Sequence, residues 1–323
     1  MVDGGPNASY GRCRADVRRP AAAMETVPAA VLDAVARQAA RAPGKPALID
    51  GADARALAYG ELAALVPAVA RGLARRGVRP GDLGGVHLDG ARDLALAVYA
   101  VAAAGAVPLL LPAAASVDEL ARLLAAEEAR FLFTSAALAG PALAATDRSY
   151  VRQVFSFGDV VGATPFTALP APDRPGDDRP AVDPMRDLAL RTPAGGFTHA
   201  DRLAGIVRWS GSVEPAHTDV LVACATEFGH AAETWMGLID LALTHGATFV
   251  AATGRGGPAL LAAAEGHGAT IAVTTPATLR SLVHDPTARR SAAGLRLVVI
   301  GHMPAEIEHD CRRRHGWSVT RCH

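Results

Sequence analysis

Residues 188–201 read LALRTPAGGFTHAD, an apolar run followed by a glycine-rich turn and the expected start of a helix. Glycine lets the backbone approach an anion closely, and a helix start offers unpaired amide donors, so such a turn can bind phosphate. The glycines of this turn are Gly195 and Gly196, and Thr198 or His199 is expected to open the helix. An ordinary strand-turn-helix corner uses the same residue types, so the pattern alone leaves both roles open.

Helical and extended patterns alternate on both sides of this stretch. Apolar spacing predicts amphipathic helices at residues 28–41, 61–75 and 117–126, with a short buried strand at 83–88. Beyond it the alternation resumes, with strands at 220–224, 248–251, 270–273 and 295–300, and helices at 231–244, 258–265, 277–284 and 305–314. The predicted fold class is therefore α/β, with two lobes of mainly parallel sheet flanked by helices.

Proline positions and charge suggest how the chain divides. Residues 1–26 carry no apolar run, so we expect a disordered N-terminal extension rather than a signal peptide. Residues 171–187 are rich in proline and charge and predict a linker or a long surface loop. We therefore expect a first lobe at 27–187, ending in this proline-rich linker, and a second lobe at 188–323.

Composition excludes several kinds of partner. The chain has 32 basic and 32 acidic residues, so no net field attracts nucleic acid or an anionic membrane. Its four cysteines are scattered, which suits a reducing cytoplasm. Residues 94–117 carry no charge, but Gly105, Pro108 and Pro112 interrupt them, so we predict a buried helix at 94–104 and a strand at 107–111 rather than a membrane span.

Several short motifs occur in a fixed order along the chain. They are PGKPAL at 43–48, LAYGEL at 57–62, RRGVRPGD at 75–82, the alanine-rich stretch 100–112, FGH at 228–230, GAT at 246–248, and the strand and turn at 295–304. In this order they resemble the N-terminal domain of the adenylate-forming superfamily, which comprises acyl-CoA synthetases, aryl-CoA ligases and peptide-synthetase adenylation domains. The likeness runs from about residue 27 to the last residues and implies the fold of that domain.

The resemblance also implies a function and a site. Members of the superfamily use ATP and Mg²⁺ to activate a carboxylic acid, so a small carboxylic acid or acyl ligand is the expected partner. The nucleotide and phosphate contacts that the resemblance implies are Arg191, Thr192, Gly195, Gly196 and Thr198. The implied acyl-pocket residues are Phe228, His230, Gly301 and His302.

The departures from the family pattern fall in the motifs that bind phosphate and magnesium and carry out the reaction. The family's phosphate loop reads approximately TSGTTGxPKG, whereas residues 191–199 are shorter and lack both the serine/threonine run and the lysine. Lys45 is the only lysine of the chain and lies far away in sequence. The family's YGxTE motif, with its magnesium-binding glutamate, and the C-terminal lid domain with its catalytic lysine fall at or beyond residue 323. We therefore expect a truncated member that binds ATP and Mg²⁺ weakly.

Two functions follow as alternatives. The first is a non-catalytic protein that holds an acyl or carboxylate ligand or a protein partner, as a homo-oligomer or in a complex with a pathway protein, because missing segments would expose apolar surface. The second is an AMP-forming acyl-activating ligase, completed by a separate polypeptide that supplies the missing motifs.

Two further patterns have structural alternatives. Cys311 and His315 lie one helical turn apart, and with His309, Cys322 and His323 nearby they suit a zinc site, but they also suit an arginine-rich helix end and a frayed tail, and we predict no metal. Residues 253–259, TGRGGPA, formally fit a dinucleotide-binding turn. No acid follows at the end of the next strand, so we predict a structural turn.

Overall fold

The computed structural model describes residues 26–51, 55–173, 182–228, 232–285, 288, 294–315, 317 and 319–322. The helices are α1 (Val27–Arg41), α2 (Tyr59–Arg75), α3 (Ala91–Ala103), α4 (Val117–Ala126), α5 (Ala139–Thr146), α6 (His199–Val213), α7 (Ala232–Thr244), α8 (Gly256–Gly266), α9 (Pro276–His284) and α10 (Ala305–Asp310). The strands are β1 (Pro46–Asp50), β2 (Arg55–Ala58), β3 (Leu83–His87), β4 (Val107–Leu110), β5 (Phe131–Ser135), β6 (Gln153–Phe157), β7 (Thr164–Pro165), β8 (Leu188–Thr192), β9 (Gly195–Thr198), β10 (Val220–Cys224), β11 (Thr248–Ala252), β12 (Ile271–Thr274), β13 (Arg296–Ile300) and β14 (Val319–Cys322).

These strands form two seven-stranded sheets. Sheet A has the order β14-β13-β12-β10-β11-β1-β2, and sheet B has the order β7-β6-β5-β3-β4-β8-β9. Neighbouring strands run parallel except in the hairpins β1–β2 and β8–β9, which are antiparallel. The prediction of an α/β fold with two mainly parallel sheets flanked by helices is confirmed.

The two sheets do not divide the chain at its proline-rich segment. Strand β1 joins sheet A through Leu48, which pairs with Phe249 of β11. Strand β8 joins sheet B through Arg191, which pairs with Leu109 of β4. The boundary expected between residues 187 and 188 therefore does not separate the sheets, because each half of the chain contributes a hairpin to the sheet of the other half.

One apolar core joins the two sheets. Helices α1, α2, α3 and α7 bury residues in the same cluster as strands of both sheets, among them Phe133 of sheet B and Phe249 of sheet A. Burial of each such large apolar side chain contributes roughly 1.5–3 kcal/mol. Within this core Tyr99 of α3 donates a 2.6 Å hydrogen bond to Asp240 of α7, and Arg202 of α6 pairs with the same carboxylate. Charged groups so deeply buried require such pairing.

The long uncharged stretch is part of this core. It folds as α3 followed by β4, close to the predicted helix and strand, and seven consecutive α3 residues, 95–101, are buried. Among the described residues, no helix combines the length and apolarity that a membrane crossing requires.

The C-terminal part differs from the sequence prediction. The helix expected at 305–314 is α10 followed by a π-helical turn at Cys311–His315. Residues expected to form a frayed tail instead form β14, which pairs in parallel with β13, with Leu297 opposite Val319. Cys322 of this strand is 2% exposed, so burial at the sheet edge holds the strand in place.

Candidate functional site

The stretch at 188–201 is a tight hairpin rather than a turn that leads straight into a helix. Thr192 of β8 pairs with Gly195 of β9, so only Pro193 and Ala194 form the turn. The Thr192 hydroxyl accepts a hydrogen bond from the Ala194 amide at 3.2 Å and donates to the Gly195 carbonyl at 3.3 Å. The glycines lie in β9, which corrects the predicted strand-turn-helix arrangement. The helix then begins at His199, as predicted.

The Arg191 guanidinium faces an acid of a neighbouring helix. Its Nε and Nη2 each donate a 2.9 Å hydrogen bond to one carboxylate oxygen of Glu127, the C-cap residue that follows α4. Charge-assisted, two-point pairs of this kind are strong and fix the orientation of the guanidinium. Gly196 accommodates this arrangement, since a Cβ there would lie 3.3 Å from Arg191 Nη1 and 2.9 Å from Leu188 Cδ2.

Thr198 and Asp201 cap the helix that follows the hairpin. Thr198 Oγ1 accepts from the Asp201 amide at 3.1 Å, and the Asp201 carboxylate accepts from the Thr198 amide at 3.0 Å. The next residue, His199, is 4% exposed, and its Nδ1 accepts from the Val27 amide. Burial, and then the charge of Arg202, lowers the pKa of His199 to about 4. The neutral His199 ring thus joins the start of α6 to the start of α1. The pairing of Thr198 with Asp201 joins the end of the hairpin to the same helix start.

Three of the four predicted acyl-pocket residues lie in the described part of the chain, at one edge of sheet A. Phe228 follows β10, while Gly301 and His302 follow β13, and β12 lies between these strands. The fourth, His230, lies outside the described residues. Gly301 has φ +109°, a conformation that favours glycine, and its amide donates to the Cys322 carbonyl. The carboxyl ends of parallel strands are where open α/β sheets bind ligands.

Glu227 is an acidic residue at the same edge that the sequence patterns did not single out. It ends a short 3₁₀ turn after β10, and its Oε2 accepts hydrogen bonds from Thr274 Oγ1 at 2.9 Å and the Thr275 amide at 3.1 Å. Burial raises the pKa of Glu227. Burial first, and then Glu227, raises the pKa of Cys224 to about 12. The signal in the sequence is an acid three residues after the end of an apolar strand, VLVACATE.

The only lysine of the chain lies at the opposite edge of sheet A. Lys45 Nζ donates to the carbonyls of His217 and Gly246, which precede β10 and β11. Burial lowers the pKa of Lys45. The GAT motif at 246–248 lies at this same amino edge, so the structure separates it from Phe228 at the carboxyl edge. Lys45 therefore belongs to neither the hairpin nor the acyl-pocket edge.

The cysteines and histidines near the C-terminus are separated by the fold. Cys311 is buried in the core formed by α8, α9 and β13, whereas Cys322 is buried in the core between the two sheets. His315 stacks on Trp317 at 4.2 Å and its Nε2 contacts the Val283 carbonyl. In the described ranges no three His, Cys, Asp or Glu side chains converge as a metal site. His323 lies outside these ranges.

Comparison with known proteins finds a family match over part of the chain. Residues 35–190 match the model of the family described as AMP-binding enzyme. The match covers 156 of the 323 residues of this chain. A stretch of 106 residues is 43% identical to enterobactin synthase component F of Escherichia coli (strain K12), covering 32% of this chain and 8% of that protein. The resemblance to adenylate-forming enzymes is thereby confirmed.

Solved structures of other proteins have a similar fold. A long-chain-fatty-acid-CoA ligase (FadD1) from Archaeoglobus fulgidus superimposes with a TM-score of 0.75 at 19% identity, over 90% of this chain and 63% of that one. A benzoate CoA ligase from Burkholderia xenovorans LB400 gives a TM-score of 0.76 at 21% identity, over 92% and 60% of the two chains. This chain therefore spans less than two thirds of the length of these relatives.

Proposed function

We propose that this chain binds a small carboxylic acid or acyl ligand at the carboxyl ends of β10, β12 and β13, and that it does not adenylate this ligand by itself. Support for acid binding comes from the family match and from two neighbours named as ligases of benzoate and of long-chain fatty acids. The proposed ligand contacts are Phe228, His230, Gly301 and His302.

The observation that carries the second half of the proposal is the two-residue turn between β8 and β9. Adenylation builds charge on a phosphoryl group, and catalysis depends on donors aimed at that charge. In this hairpin the Thr192 hydroxyl is engaged with its own turn and the Arg191 guanidinium with Glu127. Loss of a single such donor costs roughly 10²–10³ in rate, so little activation remains.

Weak binding of ATP with Mg²⁺ is part of the same proposal. The proposed phosphate contacts are Arg191, Thr192, Gly195, Gly196 and Thr198. Arg191 divides its donors between Glu127 and any bound phosphate, and a phosphate must compete with a carboxylate held at 2.9 Å. We therefore expect ATP affinity well below that of a ligase with a full phosphate loop.

Exchange of labelled pyrophosphate into ATP tests the proposal directly, because adenylation is reversible and needs no thiol acceptor. We expect no exchange above background with a panel of fatty, aryl and amino acids, while a full-length benzoate CoA ligase serves as the positive control. Robust exchange with any one acid, lost in Arg191→Ala or Thr192→Val, would overturn the non-catalytic half.

A second candidate function is an AMP-forming acyl-activating ligase that is completed by a further polypeptide. The family match and the ligase neighbours favour it, since this chain spans only 60–63% of those two structures. The same exchange assay separates the candidates when it is repeated with purified products of neighbouring genes. Exchange that requires both components assigns the second function, and exchange in neither condition assigns the first.

Association is also proposed, as a homo-oligomer or with a pathway protein in the cytoplasm. The match to a protein named as a component of enterobactin synthase supports a pathway partner, and β14 supplies a sheet edge for pairing. The three described cysteines are free thiols, which suits a reducing compartment. Sedimentation that gives a compact monomer without affinity for neighbouring gene products would contradict this part.

A further inference from the structure

The outer face of α6 carries little of the polar surface that is usual for a helix exposed to solvent. Its exposed residues include Ala204, Val207 and Gly211, and Val207 is 52% exposed. A helix at a protein surface normally presents charged and polar side chains on its outer face. This face of α6 therefore resembles a surface that another molecule covers.

A second exposed apolar side chain extends this face. Met185 is 56% exposed and lies next to Pro184, whose carbonyl accepts a 2.9 Å hydrogen bond from the Ala200 amide. The turn that carries Met185 thus lies against the first turn of α6. Four large apolar side chains are exposed in the described part of the chain, and two of them belong to this surface. Such clustering of apolar surface marks association sites.

Two glycines of α6 have no packing role within the described chain. A Cβ added at Gly205 or at Gly211 would have no neighbouring atom within 4 Å. Glycine inside a helix lowers helix stability relative to alanine, and its structural advantage is that it lets another backbone approach closely. With Ala204 these glycines form a shallow strip along which a second helix can lie.

Asp201 and Arg208 place opposite charges toward the two ends of the same face. They lie seven residues apart, which is two helical turns, and both are exposed. Asp201 Oδ2 accepts from the amide and hydroxyl of Thr198, whereas its Oδ1 and the Arg208 guanidinium have no ion-pair or hydrogen-bond partner among the described residues. An acid near one end of a face and a base near the other make that face complementary to an antiparallel copy of itself.

We propose that α6 is the interface of a two-fold symmetric homodimer, in which the helices of two copies pack antiparallel. Asp201 of each copy pairs with Arg208 of the other, and Ala204 and Gly205, midway between these charges, lie where the helices cross. Val207 packs against the second copy. Symmetric dimers use the same patch on both subunits in this way. The inference rests on the association proposed above and names its surface.

The size of the surface sets the expected affinity. The 15 residues of α6 span about 22 Å, and stable interfaces bury about 800 Å² on each partner. One helix face with its adjoining turn is a small interface by that standard. We therefore expect a reversible dimer with a dissociation constant in the micromolar range, which sedimentation velocity resolves over a concentration series of the whole chain.

Charge reversal tests the antiparallel pairing. Arg208→Asp and Asp201→Arg each place like charges opposite one another at both contacts of the dimer, so each variant alone should dimerise about tenfold or more weakly than the wild type. A mixture of the two variants pairs opposite charges at both contacts. We expect the mixture to form heterodimers with an affinity close to that of the wild type, which loss of folding in either variant does not allow.

Matched controls separate this surface from the rest of the molecule. Val207→Asp should weaken the dimer, whereas Val161→Asp, at a valine that is 97% exposed after β6, should leave it unchanged. Arg122→Asp, on the exposed side of α4, is the control for reversing an arginine. Urea unfolding establishes that each variant is folded before its sedimentation is compared.

Each other result overturns the inference in a recognisable way. A wild-type chain that stays monomeric at 200 µM excludes the homodimer, while a complex with a neighbouring gene product would still uphold association. A dimer that neither Arg208→Asp nor Val207→Asp weakens has its interface elsewhere. Variants that are monomeric alone and remain monomeric when mixed exclude the antiparallel pairing of Asp201 with Arg208.

Discussion

Arg191 and Glu127 form a two-point ion pair in which each carboxylate oxygen accepts one guanidinium hydrogen bond at 2.9 Å. The pair occupies the one cation that the hairpin could offer to the proposed phosphate ligand. Glu127→Gln removes the competing charge, so we expect ATP to bind several-fold more tightly to this variant, and Arg191→Ala to abolish what binding exists. Calorimetry with Mg²⁺-ATP measures both.

The control for this pair is the adjacent acid Glu128, which is largely exposed. Its Oε2 lies 3.9 Å from Arg130 Nη2, the outer limit of an ion pair. Glu128→Gln should leave ATP affinity unchanged, since exposed pairs at this distance contribute little. Tight ATP binding that neither Glu127→Gln nor Arg191→Ala alters would show that the nucleotide binds elsewhere.

The buried hydrogen bond between Tyr99 and Asp240 should contribute measurably to stability. Tyr99→Phe leaves Asp240 with Arg202 as its only remaining partner among the described contacts, and we expect a loss of about 1–2 kcal/mol in the free energy of unfolding. Asp240→Ala should cost more, roughly 3–5 kcal/mol, because Arg202 is then buried without a partner. Urea titration measures both, with Tyr150→Phe as the exposed-tyrosine control. Equal effects of the two tyrosine variants would contradict the prediction.

His199 should make the fold sensitive to acid. Its pKa is lowered from the usual 6.5 to about 4, so the folded state holds the neutral ring that accepts from Val27. The stability that depends on this neutral ring is complete above pH 6.5 and is lost as the pH falls toward 4, by roughly 3 kcal/mol in all.

The variant His199→Asn tests this dependence, because the asparagine oxygen can take the place of Nδ1 without titrating. We expect the difference in urea midpoint between pH 7 and pH 4 to be smaller in His199→Asn than in the wild type. His217→Asn, at an exposed position, should leave that difference unchanged. An unchanged acid response in His199→Asn would place the sensitive group elsewhere.

Glu227 should lower the stability of the fold as the pH rises, the opposite of the effect expected for His199. Burial raises its pKa, so its protonated form is favoured in the fold, and its contribution to stability is present below pH 4.5 and lost as the pH rises through the folded value. Glu227→Gln removes this loss, so the variant should gain stability relative to the wild type more at pH 7 than at pH 4. Glu306→Gln provides the exposed comparison in the same thermal unfolding series. A constant difference across pH would refute the assignment.

Periodicity in the sequence predicted most elements of this fold. The strand at 220–224 and the helix at 117–126 were placed at their observed ends, because apolar period and capping signals are local properties. The hairpin β8–β9 was missed, since a strand that contains two adjacent glycines lacks the alternation that marks an ordinary strand.

Long-range partners explain what local patterns could not predict. Nothing near Leu48 indicates that its strand pairs with Phe249, and nothing near Arg191 indicates Glu127. The family resemblance supplied the edge of the acyl pocket through Phe228 and Gly301, but Glu227 has no counterpart among the motifs quoted for it. Its place against Thr274 and Thr275 is a property of three-dimensional packing.

The exchange of hairpins between the sheets has a consequence for synthesis. Leu48 leaves the ribosome about 200 residues before its parallel partner Phe249. At roughly 5–20 residues per second, β1 waits about 10–40 s for that strand. During this interval its antiparallel neighbour β2 is the nearest available partner, and one edge of the nascent hairpin stays open. We therefore expect the early chain to expose an unpaired strand edge that can aggregate, and slower translation before residue 248 to lengthen this exposure.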